Sequence, residues 1–152
     1  MNVEELNSIK REFKVEADPA TVFAFFTDPE RLTRWVGTSA QIDARVGGLF
    51  MIDVVKGRVA RGEYTEVVPV SRLAYTWGWD NDAQVPPGSS RIEIDLLPQN
   101  GSTLVRFSHN GLPASEVPGH SVGWTHYLAR LVIAAGGGDP GPDQGPARRS
   151  GE

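Results

Sequence analysis

Residues 91–110 read RIEIDLLPQNGSTLVRFSHN. Arg91, Glu93 and Asp95 alternate with Ile92, Ile94 and Leu96, and after Gln99-Asn100-Gly101 the residues Val105, Phe107 and His109 recur at the same spacing. A period of two sends successive side chains to opposite faces of a strand, so the charged set meets water and the apolar set meets a core. Asn-Gly between two such runs is a strong hairpin signal, because a type I′ turn needs positive φ at both of its central residues. Strands at 89–97 and 102–110 therefore form an antiparallel hairpin with one wet face and one dry face.

The same reading extends upstream. Strands fall at about 39–45, 48–55, 58–68 and 71–79, separated by Gly47-Gly48, Lys56-Gly57 and Pro69, and connections this short make neighbours antiparallel. Phe50, Ile52 and Val54, then Leu73, Tyr75, Trp77 and Trp79, belong to the dry face. The strand at 58–68 has two phases, since Val59 and Val67 argue for one face and Tyr64 for the other, and a β-bulge reconciles them. If its odd residues point inward, Arg61 and Glu63 bring a polar pair into the interior, where it must pair or meet a polar ligand atom. A first strand covers 9–17, where Ile9, Arg11, Phe13, Val15 and Ala17 alternate with Lys10, Glu12, Lys14 and Glu16. Asp18-Pro19 and Asp28-Pro29 each put an N-cap acid before a proline suited to the first helical position, so two short helices follow. A long helix runs from Ser115, a suitable N-cap, to Ala135. Stepping 100° per residue from Trp124, the positions Val117, His120, Tyr127, Leu128, Leu131 and Ala135 lie within roughly 60° of it and form the stripe that meets the sheet. Val122, His126 and Ile133 lie behind, a hint of a self-association surface.

Composition bounds the rest. A chain of 152 residues, 39% hydrophobic and 22% charged, fits one globular domain, and its formal charge of −4 gives no footprint for nucleic acid. The absence of Cys removes disulfides, thiolate nucleophiles and Cys-based zinc sites. No run is long and apolar enough to insert in a membrane, and the charged start does not read as a leader, so a soluble cytoplasmic protein is expected. Residues 1–7 read as a flexible start, 8–135 as the domain, and 136–152, GGGDPGPDQGPARRSGE, as a disordered Gly/Pro-rich tail without a large apolar residue.

The order strand, two short helices, six strands, long helix resembles the α+β helix-grip fold of the birch-pollen-allergen and START-like (SRPBCC) superfamily. Particular motifs narrow it: Phe13 to Val15 leading into Asp18-Pro19-Ala20-Thr21-Val22-Phe23, then Asp28-Pro29-Glu30-Arg31-Leu32 and Trp35. Val46-Gly47-Gly48-Leu49-Phe50, Gly62 to Val67, Arg72 to Trp77, Thr103 to His109 with Gly111-Leu112-Pro113, and Gly123-Trp124 with Tyr127-Leu128 continue the series. Together they resemble domains related to the activator of the heat-shock protein 90 ATPase, over about residues 8–135. The resemblance implies a curved antiparallel sheet of about seven strands around the C-terminal helix, with an elongated apolar cavity between them. Standalone bacterial members lack the domain that recruits the chaperone, which places chaperone activation behind ligand binding as an expectation.

The expected ligand-binding residues follow from the dry faces. From the short helices comes Trp35; from the sheet, Phe50, Ile52, Tyr75, Trp77, Trp79, Ile92, Phe107 and His109; from the long helix, His120, Trp124, Leu128 and Leu131. Pockets rich in aromatic surface with a few polar groups hold small apolar or aromatic molecules. Candidates for proton transfer in a cyclase- or dehydratase-type enzyme are His109, His120 and Tyr127; the alternative is that each His bonds backbone or water at the rim. A metal site is not expected, because His120 and His126 point about 120° apart on a helix, and no cofactor is expected. The serines at 89–90 sit outside any Gly-x-Ser-x-Gly motif. The predicted partner is a small apolar molecule, with no nucleic acid, and the chain is expected to be a monomer or weak homodimer.

Overall fold

A computed structural model describes residues 7–146. The elements are β1 (Ile9–Val15), α1 (Pro19–Thr27), α2 (Pro29–Leu32), β2 (Ser39–Ile42), β3 (Leu49–Val55), β4 (Arg58–Val68), β5 (Arg72–Trp77), β6 (Ser90–Gln99) and β7 (Ser102–Asn110). A 3₁₀ turn at Ala114–Glu116 and α3 (Val117–Ala135) complete them. All seven strands join one antiparallel sheet in the order β1-β7-β6-β5-β4-β3-β2. Its dry face curves around α3, the α+β helix-grip architecture that the resemblance implies, built from the antiparallel strands that the alternation and turn signals predict. None of the described helices is long and apolar enough to cross a membrane.

Local chemistry accounts for the elements. Asn100 and Gly101 both have positive φ, 50° and 89°, as the β6–β7 turn requires. Asp18 Oδ1 accepts the Thr21 N–H at 2.8 Å and Asp28 Oδ1 accepts the Glu30 N–H at 2.9 Å, capping α1 and α2 ahead of their prolines. Ser115 does not cap α3. It lies inside the 3₁₀ turn, and Glu116 occupies the cap position without a side-chain bond. Pro118, in the first turn of α3, has no N–H to be capped, so the helix begins without that device.

The expected dry face is the buried face. Phe50, Ile52, Leu73, Tyr75, Trp77, Ile92, Ile94, Phe107 and His109 are each 4% exposed or less. On the wet face Arg72 holds Glu66, Glu93 and Asp95 at 2.9–3.0 Å. Strand β4 resolves its two phases with a register shift between Tyr64 and Glu66: Ala60 and Tyr64 are buried before it, and Val67 faces Leu73 after it. Val59 therefore belongs to the outer phase. Arg61 forms a two-pronged bond to Asp80 at 3.0 Å and Glu63 is exposed, so no polar pair enters the interior.

The Gly/Pro-rich segment, as far as residue 146, makes polar contacts to α3. Arg130 Nη1 donates to the carbonyls of Pro140 and Gly141 at 3.3 and 3.1 Å, and His126 Nε2 donates to Asp143 Oδ1 at 2.6 Å. The expectations for residues 1–6 and 147–152 lie outside the described residues.

Curvature of β4 depends on one close approach. A Cβ on Gly62 would lie 1.7 Å from the carbonyl oxygen of Thr76, a backbone atom that cannot move without disturbing β5. Gly62→Ala is expected to lower unfolding free energy by about 2–3 kcal/mol or more, measured by urea denaturation; a loss below about 0.5 kcal/mol contradicts that packing.

Candidate functional site

Strand β5 ends at Trp77, and the chain stays beside β4 for a few residues more: the Gly78 carbonyl accepts the Arg61 N–H at 2.8 Å, Trp79 bridges Ala60, and the Asp80 N–H donates to the Val59 carbonyl at 2.9 Å. A pocket of about 350 Å³ opens there. Its sheet-side wall is Val54, Val55, Arg58, Trp77 and Trp79, with Val36 from the segment after α2. Its helix-side wall is Glu116, Gly119, His120, Gly123, Trp124 and Tyr127, one stripe at the three- and four-residue spacing of a helical face. Pro146 closes one flank. At Gly119 and Gly123 an added Cβ would meet nothing within 4 Å. The pocket thus owes part of its volume to two side chains that α3 lacks.

Two Trp–His pairs set the polar side. Trp124 Nε1–H donates to His109 Nδ1 at 3.0 Å, and Ser90 Oγ lies 2.8 Å from His109 Nε2. The single Ser90 hydroxyl hydrogen goes to the Trp77 carbonyl at 2.8 Å, so Ser90 Oγ accepts from His109, which is the neutral Nε2–H tautomer. A second proton on Nδ1 would confront the indole N–H. Burial, then the neighbouring His120, push the His109 pKa down to about 3. His120 repeats the arrangement: Trp79 Nε1–H donates to its Nε2 at 2.9 Å, and its Nδ1–H donates to the Glu116 carbonyl at 2.8 Å. Burial again lowers its pKa. The Glu116 carboxylate stands 4.0 Å from Nδ1, beyond hydrogen-bond reach. The two imidazole rings lie 5.6 Å apart between centroids, and every ring nitrogen is engaged. Neither ring is a free base. Burial raises the Tyr127 phenol, assisted by the Asp143 charge, which opposes its ionisation as well.

Among the expected ligand residues, Trp77, Trp79, His120 and Trp124 line the pocket, joined by the proton-transfer candidate Tyr127. Trp35, Phe50, Ile52, Tyr75, Ile92, Phe107 and Leu131 lie in the packed core. Trp35 bonds the Phe25 carbonyl at 2.9 Å, Phe50 stacks on Tyr75 at 4.2 Å, and Phe107 packs on Trp124 at 4.6 Å. His109 is completely buried against Trp77 and Trp124. Leu128 faces a smaller recess of about 200 Å³ with Arg11, Phe13 and Val132. Arg58, Glu116, Gly119 and Gly123 escaped the sequence reading as pocket residues; paired glycines four apart inside an otherwise regular helix were the available signal for the last two. Arg58 sits 4.2 Å over the Trp79 ring and pairs loosely with Asp82 at 3.7 Å. Among the described residues no group of three His, Asp or Glu is arranged to hold a metal ion.

A family model described as "Activator of Hsp90 ATPase homolog 1-like protein" matches residues 16–136. The chain belongs to that family. A solution structure of an AHSA1-like protein from Rhizobium etli is 52% identical, with a TM-score of 0.73 over 93% of this chain and 89% of its own. The crystal structure of an Hsp90 activator from Plasmodium falciparum is 25% identical, with a TM-score of 0.71 over 85% of this chain and 96% of its own. The "Activator of 90 kDa heat shock protein ATPase homolog 1" of Mus musculus is 29% identical over 110 residues, 72% of this chain. This chain spans 31% of the mouse protein's length. Membership of the activator-homolog family accounts for the helix-grip scaffold, whereas the Trp–His pairs and the two pocket glycines are read from this chain's own geometry.

The buried neutral imidazole predicts a pH signature. An unfolded His titrates near 6.5 and His109 in the fold near 3, so between those values the unfolded chain binds a proton that the folded chain refuses. The stability from neutral His109 is complete above about pH 6.5 and falls as pH drops toward 3, by at most about 1.4 kcal/mol per pH unit. His109→Gln keeps an acceptor for Trp124 and a donor for Ser90 without titrating. Urea unfolding between about pH 7.5 and 4.5 should show a shallower loss in His109→Gln than in the unaltered protein; equal slopes contradict the assignment.

Proposed function

We propose that this domain binds a small, flat, apolar or aromatic molecule in the pocket between α3 and the end of β5, and holds it without transforming it. The observation that carries this reading is the pair Gly119 and Gly123. Glycine in a helix interior costs about 1 kcal/mol relative to alanine, and beyond the adjoining backbone of α3 itself nothing comes within 4 Å of the Cβ either residue lacks. Close packing therefore does not require glycine there. What the two positions provide is space, at the point where Trp77, Trp79, Trp124 and Tyr127 form the surrounding walls.

The volume, about 350 Å³, falls at the small end of the roughly 300–1,000 Å³ typical of ligand sites. The indole N–H groups of Trp79 and Trp124 are already bonded to His120 and His109, so those rings offer apolar faces. Binding without chemistry is favoured over cyclase- or dehydratase-type proton transfer because general base catalysis needs a nitrogen able to take a proton. His109 and His120 have theirs engaged, and neither has a titratable group within hydrogen-bond reach in the pocket.

A neutral fluorescent probe tests the reading. Nile red should bind the folded protein at one site and quench its tryptophan emission. Gly123→Leu directs a side chain toward the preceding helical turn, across the Gly119 opening, and should weaken binding at least about tenfold. The same change should leave stability equal or raise it by up to about 1 kcal/mol, since Leu is the better helix former. Absence of Nile red binding, or equal affinity in Gly123→Leu, overturns the assignment.

A further inference from the structure

Pro146 lines the pocket although it lies beyond the end of α3 and outside the sheet. The chain reaches that position by reversing direction. Gly136, Gly137 and Gly138 donate to the carbonyls of Val132, Ala134 and Ile133 at 3.2, 3.2 and 2.9 Å, and Gly137 takes φ 97°, a turn open to glycine because it has no Cβ. The chain then retraces α3, passing Arg130 at Pro140 and Gly141, His126 at Asp143, and the pocket at Pro146.

Two repeated turns shape this return path. Asp139 Oδ1 accepts the Gly141 N–H and Asp143 Oδ1 accepts the Gly145 N–H, both at 2.8 Å, with Gly141 and Gly145 at φ 74° and 80°. Each is an Asp-x-Gly turn in which the carboxylate stands in for a backbone acceptor. Asp143 Oδ1 serves two donors, since it also accepts the His126 Nε2–H at 2.6 Å. The segment has local form without a large apolar side chain to anchor it, the profile of an element that opens at low cost.

We propose that residues 139–146 are a strap that closes the flank of the pocket and governs entry and exit of its ligand, with the His126–Asp143 bond as the latch and Arg130 as the clamp. This rests on the binding reading above. Because Pro146 belongs to the wall, an occupant touches the strap when it is closed, so occupancy and closure stabilise one another.

Nile red kinetics and acrylamide quenching of tryptophan test the proposal in four proteins: the full chain, a chain ending at Gly138, Asp143→Ala, and His126→Cys with Asp143→Cys bridged by a short bis-alkylating reagent. The last is specific because the chain has no cysteine. Loss of the strap's bonds in the shortened chain should speed dye release about tenfold and raise acrylamide quenching. Asp143→Ala should move both in the same direction, and the bridge should slow release and lower quenching. Equal release and equal quenching in the full and shortened chains overturn the strap. If Nile red binds none of the four, the binding reading fails, and quenching then decides closure: greater quenching in the shortened chain sustains it, equal quenching rejects it.

Discussion

The indole N–H of Trp124 is bonded to Nδ1 of a completely buried histidine on β7, and the orientation of α3 follows from that contact. A buried N–H left without an acceptor costs about 1–3 kcal/mol, so the helix is held at the rotation that brings Trp124 onto His109. At that rotation Leu128 and Leu131 turn toward the core, while Gly119, His120 and Gly123 turn toward Trp77 and Trp79. Ser90 completes the arrangement by tying His109 to the Trp77 carbonyl, so one chain of bonds runs from helix to β7, β6 and β5. The helix grips through polar contacts of fixed direction as well as through apolar area.

That geometry separates the interior into two parts with different physics. Toward the C-terminal half of α3 the space is filled: Arg130 donates to the Trp35 carbonyl at 3.2 Å, and Trp35 meets Phe26 edge-on at 5.4 Å. Toward the N-terminal half the helix supplies glycines, an uncapped first turn and a proline, and the sheet supplies indole faces at strand ends. The stability forgone at that end is a helical one, small and local. A site placed there acquires volume without opening the core.

How much of this was legible in the sequence depended on whether the signal was local. Period-two alternation and the Asn100-Gly101 turn carry the β6–β7 hairpin, and the Asp-Pro pairs carry α1 and α2, because each is decided within a few residues. The phase conflict in β4 was visible in Val59, Tyr64 and Val67, and its resolution by a bulge was foreseeable; which end took which phase was not, since that depends on Asp80 reaching Arg61 from another strand end. Among the site residues, Trp77, Trp79, His120 and Trp124 were accessible through facing alone. Trp35, Phe50, Ile92 and Phe107 shared that facing but are covered by their neighbours, Phe107 by Trp124 and Phe50 by Tyr75, a distinction that alternation does not report. At 136–146 composition reports only the lack of apolar residues, whereas the Asp-x-Gly turns and the bonds from Arg130 and His126 depend on where the chain passes along α3.

The division of labour also bears on what the family comparison explains. A scaffold shared with the Rhizobium etli and Plasmodium falciparum proteins fixes the sheet order and the gripping helix, and through them the existence of a mouth between α3 and the ends of β3, β4 and β5. Part of the mouth hangs from connections: Val55 and Arg58 flank the β3–β4 turn, Trp79 follows β5, Glu116 precedes α3, and Pro146 belongs to the returning segment. Connections tolerate substitution because little of their backbone is buried, so the mouth can change chemistry while the Trp124–His109 bond and the packed half stay constant. In this chain the side chains on those connections border a space that α3 leaves open, while Trp77, Trp124 and Tyr127 belong to the pocket wall and to the buried core at once.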